Sequence, residues 1–251
     1  MHTYIFSGII HPERVNFTLG SRIPFSLNLP DFNIVGQSTI SIQSSRITVQ
    51  FESSVDYTKD PKCNLETLKN FIEKNIRMVV DSYCFVNSYS YDVEVSTIKC
   101  EQLNIDYTFG VVGEYNITKT PEQIANEFNS LLLTFSEPKA GFLKEVLADF
   151  RRAIKYPDTT ASFCFRAIET IRTYLFEDIT IADDSRRKRD GWQELRDTLK
   201  LTEASFSEIK KFALPNRHGE YPSITGDERQ RIFNFTRSII EKSVDILRST
   251  K

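Results

Sequence analysis

The stretch ITKTPEQ, Ile117 to Gln123, is where this sequence changes its period. Thr120 stands at a helix cap, Pro121 at the first helical position, and Gln123 three residues on completes a capping box. Before this point the chain alternates. TYIFSGII (3–10), RVNFTLG (14–20), STISIQ (38–43), RITVQFES (46–53) and YSYDVEVSTI (89–98) are short, rich in Val, Ile, Thr, Tyr and Phe, and separated by turn residues. In RITVQFES, Ile47, Val49 and Phe51 trade places with Thr48, Gln50 and Glu52, the pattern of a half-buried antiparallel sheet. One helix interrupts the strands. Leu65, Leu68, Ile72, Ile76, Val79, Val80 and Tyr83 recur at helical spacing, with Lys69, Glu73, Lys74 and Arg77 between them.

After Ile117 the period is helical throughout. The next helix carries Leu143, Val146, Leu147, Phe150 and Ile154 on one stripe and stops before Tyr156-Pro157-Asp158. A third spans about Thr160 to Phe176. A fourth lies near Trp192 to Leu199, and a short fifth follows Thr202. The last opens at Thr225-Gly-Asp-Glu228, a second capping box, and places Ile232, Phe235, Ile239 and Leu247 at helical intervals. The expected architecture is α+β: an antiparallel β-sheet domain with one packed helix over 1–117, then an all-α bundle over 118–251.

Hydrophobic content of 40% and charged content of 26% are those of a globular chain with a real core. The net charge of −2, divided as −4 before residue 118 and +2 after it, gives no global pull toward nucleic acid or membrane. Cys63, Cys84, Cys100 and Cys164 form no CxxC pair and have no histidine at ligand spacing, so they read as reduced thiols. MHTYIFSGII lacks a basic leader and a long apolar run. With no stretch near the ~20 apolar residues a bilayer crossing needs, a cytoplasmic, non-membrane protein is expected. The glycines form neither GxGxxG nor GxxxxGK[ST]; GxSxG and HExxH are likewise missing, so dinucleotide, Walker-type, serine-hydrolase and zincin chemistry lose their local signatures.

What remains is the polar break KKFALPNRHGEYPSI, Lys210 to Ile224, which holds the only histidine beyond residue 11. Two readings stand side by side. Metal-free RNA cleavage needs a proton acceptor, a proton donor and a cation for the phosphorane, and His218 with Lys211 or Arg217 can supply them. Alternatively Pro215 ends a helix, Asn216 and Gly219 turn the chain, and His218 bonds carbonyls there. Arg166 and Glu169 either reach His218 or pair with each other at i, i+3. The run Ser185-Arg-Arg-Lys-Arg189, flanked by acids, is either a solvated loop or a phosphate contact through Arg186, Arg187 and Arg189. Tyr174, Trp192 and Tyr221 are available for base stacking or for packing.

A bundle whose Asn216-Arg217-His218-Gly219 turn directly precedes a long final helix resembles the HEPN (higher eukaryotes and prokaryotes nucleotide-binding) family. Phe163-Cys-Phe-Arg166-Ala-Ile-Glu169 is similar to the inner helix of such bundles. The resemblance covers about residues 138–251, and SGIIHPERV is similar to the opening of N-terminal domains joined to bacterial bundles of this kind. It implies an RNA- or nucleotide-binding module of a defence or toxin-like system, possible metal-independent endoribonuclease activity without a cofactor, and pairing as a homodimer. It also implies His218 as acid or base, Lys211 and Arg217 as phosphate cations, and Asn216 as positioning partner. The family's arginine would fall at Phe212, Ala213 or Leu214 or just beside them; here a lysine, Lys211, stands in its stead. The alternative is a non-catalytic dimerising or partner-binding protein, with the N-terminal domain as a possible protein-docking part.

Overall fold

The structure is a computed structural model. It describes residues 1–110, 119–137, 139–220 and 222–249. The chain divides into two compact units, Met1–Asn116 and Ile117–Lys251. The expected boundary at residue 117 lies outside the described residues.

The first unit is a six-stranded antiparallel sheet with one long helix. Its strands are β1 (His2–His11), β2 (Ile23–Leu29), β3 (Ile34–Gln43), β4 (Arg46–Ser53), β5 (Asp92–Cys100) and β6 (Ile105–Thr108), in the order β2-β3-β4-β1-β5-β6. β4 and β5 both pair antiparallel with β1, so they run parallel to each other, and α1 (Leu65–Asn87) connects them. Alternation decides the buried face: Tyr4, Phe6 and Ile10 of β1 join Ile47, Val49 and Phe51 of β4 in a core closed by Leu68, Ile72, Ile76 and Val80 of α1. The Asn64 side chain caps α1 by accepting from the Thr67 N–H.

The stretch 14–20, expected as a strand, is not one. Glu13–Val15 form a 3-10 turn, Asn16 adopts φ 53°, and the segment then lies along the β3–β4 hairpin, with Phe17 buried and bonded to Ser45. The strand is instead Ile23–Leu29, whose Pro24 is tolerated because β2 is an edge. At Ser7/Gly8 the β1–β5 register shifts, and a Cβ on Gly8 would stand 2.2 Å from the Glu94 carbonyl oxygen. Only glycine lets the strands approach so closely there.

The second unit is helical: α2 (Pro121–Thr134), α3 (Leu143–Lys155), α4 (Thr160–Phe176), α5 (Asp184–Leu199), α6 (Ser207–Arg217) and α7 (Gly226–Ser249). The overall class is therefore α+β. The Thr120–Gln123 capping box is formed in both directions. α4 is the central helix, burying Ala161, Cys164, Phe165, Ala167, Ile168 and Ile171. No helix among the described residues is long and apolar enough to cross a membrane.

Two local expectations are corrected. α5 begins at Asp184, not near Trp192, so Arg186, Arg187 and Arg189 lie on a helix and not in a solvated loop. Asp183 caps it, accepting from the Arg186 N–H. α6 passes through Pro215, which does not end it, and stops at Arg217.

Candidate functional site

The turn after α6 is built by backbone geometry. Gly219 takes φ 81°, the Glu220 N–H reaches the Pro215 carbonyl at 3.1 Å, and the Gly219 N–H reaches that of Asn216 at 3.2 Å. This is a Schellman closure with glycine where a Cβ would be strained. The motif leaves His218 at the C-cap, exposed, its ring making no hydrogen bond among the described residues. The expectation that the imidazole bonds carbonyls of the turn is therefore not met.

The neighbours of His218 are each committed elsewhere. Arg217 donates to Glu169 on α4, and its guanidinium lies 5.2 Å from the centre of the Phe165 ring, while its side chain stays 48% exposed. Lys211 donates to Glu228 at the start of α7, 3.2 Å away. Asn216 donates to the Asp158 carbonyl in the α3–α4 turn at 3.2 Å, with its Oδ1 buried and without a partner among the described residues. Arg217 and His218 are consecutive residues at the end of α6, and both are exposed. Lys211 turns toward α7 and Arg217 toward α4.

The start of α7 offers little to an anion. Glu228 folds back to accept from the Thr225 N–H at 3.0 Å and the Thr225 hydroxyl at 2.9 Å, while the Thr225 hydroxyl accepts from the Glu228 N–H. The Thr225 backbone bond, the Thr225 hydroxyl and Lys211 hold the Glu228 carboxyl below its ordinary range. A negative charge therefore sits where the helix end would draw a phosphate.

Neither expectation for Arg166 and Glu169 holds. They do not pair at i, i+3, and neither bonds His218. Arg166 grips Asp149 of α3 with two donors, the Nε contact at 2.6 Å, and Asp149 also accepts from Arg152 at 2.9 Å. Glu169 takes Arg217. Asp149 is buried, and sequence reading missed it. The signal was present: it shares the inward stripe of Val146 and Ala153, where an acid needs a partner.

The basic run is likewise paired with acids. Arg187 donates to Glu177 at 3.0 Å, to the Ile181 carbonyl at 3.3 Å and to Asp184 at 2.5 Å. Glu177 also holds the buried Arg172 at 2.8 Å. Arg186 and Arg189 both face Asp190 at 3.4 Å. Trp192 is partly buried and packs 5.8 Å from Phe165 and 5.4 Å from Phe206. Tyr174 is exposed and stacks on Phe142; Tyr221 lies outside the described residues.

Fold and site together define a two-unit α+β protein whose helical unit carries an exposed Arg-His turn, braced from three sides, ahead of its last helix. Residues 4–109 match the N-terminal domain, and residues 128–248 the C-terminal domain, of a family described as a domain of unknown function, DUF8168. The two matches run in that order over most of the chain, and the chain belongs to this family. No curated protein and no solved structure matches it.

Proposed function

We propose that the helical unit is a HEPN-like module that binds RNA or a nucleotide at the Arg217–His218 edge and does not cleave it, in a defence or toxin-like system of the cytoplasm. One observation carries this reading: Arg217, its side chain half exposed, and the exposed His218 are consecutive residues at a helix end closed by Gly219. Arginine can exchange a carboxylate for a phosphate because both accept its forked donors in the same geometry. Cleavage asks for more. A crowded phosphorane needs a free cation besides an oriented acid and base, whereas Lys211 faces Glu228 and the His218 ring has no orienting partner among the described residues.

The test is binding and degradation of a labelled single-stranded RNA by the purified chain, with chelator present. The expected result is binding by wild type, loss of about tenfold in Arg217→Ala from one charge-assisted contact, and no degradation by either. Degradation by wild type that disappears in His218→Ala refutes the non-cleaving part. Absence of binding to RNA and mononucleotides alike refutes the whole.

The second reading, a dimerising or partner-binding scaffold, is favoured by α2. Ile124, Phe128 and Leu132 recur every four residues along it and are 50%, 60% and 50% exposed. An apolar stripe of this kind usually meets a partner, and a homodimer fits it. In the first unit Phe85 and Val86, 87% and 78% exposed near the end of α1, are the corresponding support for a protein partner there.

A further inference from the structure

α3 carries a net excess of two cations that the turn does not account for. Its 13 residues contain Lys144, Arg151, Arg152 and Lys155 against Glu145 and Asp149. At 100° per residue, Lys144, Arg151 and Lys155 fall within about 40° of one another, opposite the buried Val146, Asp149 and Ala153. Lys144 and Arg151 are exposed and have no acidic partner among the described residues. The stripe is about 16 Å long at 1.5 Å per residue, longer than a single phosphate requires.

Two aromatic rings stand just past the C-terminal end of this stripe. Lys155 lies 5.8 Å from the centre of the half-buried Tyr156 ring, Tyr156 is 6.2 Å from Phe163, and Arg166 lies 4.9 Å over Phe163. The surface continues to the turn through shared contacts. Arg152 and Arg166 meet on Asp149; Glu169, one helical turn beyond Arg166, holds Arg217; and Asn216 bonds the Asp158 carbonyl two residues past Tyr156. Cations tracking a backbone with rings between them are the working parts of single-strand recognition, where charge follows phosphates and rings stack on bases.

We infer that the solvent face of α3, with Tyr156, Phe163 and Arg166, is a track for single-stranded RNA that leads the strand to the Arg217–His218 edge. This rests on the reading of that edge given above and adds to it the ligand class, a strand and not a mononucleotide. Lys144 and Arg151 hold the incoming phosphates, Lys155 and Arg166 the following ones, and the two rings offer stacking faces at the bend between α3 and α4.

The experiment is fluorescence anisotropy of the full chain with a labelled 12-nucleotide RNA, with 5′-AMP and with duplex RNA, across a salt series. Lys144→Ala/Arg151→Ala changes two exposed side chains. It should weaken single-stranded RNA binding about tenfold and flatten the plot of log K against log salt by about 1.4, at about 0.7 per lost phosphate contact. Binding of 5′-AMP should be unchanged. If the double variant binds RNA like wild type while Arg217→Ala does not, the track is refuted and the edge stands. Wild type that binds 5′-AMP but not RNA likewise overturns the track and leaves the edge in place. Duplex RNA bound as tightly as the single strand refutes the single-strand assignment, and no binding of any of the three refutes track and edge together.

Discussion

Replacing Glu177 with alanine tests whether the basic run of α5 is scaffolding. Glu177 and Arg172 keep only 5% and 7% of their side chains exposed and lie 2.8 Å apart. Removing one partner of such a pair strands the other charge, which costs about 3–5 kcal/mol. Arg172 would keep the Thr173 hydroxyl at 3.1 Å and the Trp192 ring at 5.1 Å, so the lower end, about 3 kcal/mol, applies. Arg187 is 27% exposed and is one of two cations on Glu177, so Arg187→Ala should cost only about 1 kcal/mol. Trp192, the one tryptophan of the chain, packs in this unit, so its emission during urea unfolding reports the helical unit alone. Glu177→Leu/Arg172→Met should recover most of the loss, because apolar replacement of a buried pair is often neutral. A loss below about 1 kcal/mol for Glu177→Ala would refute the reasoning. So would an unchanged unfolding curve for Arg187→Ala together with weakened RNA binding, which would return Arg187 to the phosphate.

Three further outcomes follow from named contacts. Gly8→Ala drives a Cβ into the Glu94 carbonyl and should destabilise the first unit by about 2 kcal/mol or more, read by circular dichroism; a wild-type melt would contradict the close approach. On the proposed pairing through α2, wild type should sediment as a dimer and Phe128→Glu as a monomer without a change in helicity; equal sedimentation coefficients would count against pairing through that stripe. The depressed pKa of Glu228 means its stabilisation is whole above the ordinary value of 4.5 and drains away as pH falls through the folded value. Glu228→Gln should therefore lose Trp192-monitored stability less steeply than wild type below pH 4.5, and parallel curves would refute the assignment.

The fold was legible wherever local rules decide it. The capping boxes at Thr120 and Thr225 are visible as residue types three apart, and the alternation of Ile47, Val49 and Phe51 gives the sheet face directly. Legibility failed where position in the fold overrides local pattern. Pro24 hides an edge strand, because whether a strand is central or peripheral is a property of the sheet. α5 buries only Gly191, Leu195 and Leu199, all beyond its first turns, so the run before Trp192 shows no apolar period. Asp183, the cap, was the missed cue. In the site, each cation's presence was readable but its partner was not. Glu169, Asp149, Glu228 and Glu177 reach their arginines and lysine mostly from other helices, at separations no spacing rule covers.

The central claim is that Arg217 and His218 together meet a phosphate. Its most direct measurement is the proton–nitrogen NMR signal of the His218 ring, followed as single-stranded RNA is added to the chelator-treated chain. A shift of the His218 resonances that saturates with binding and vanishes in Arg217→Ala is the predicted result. RNA binding that leaves the His218 ring unmoved would contradict it.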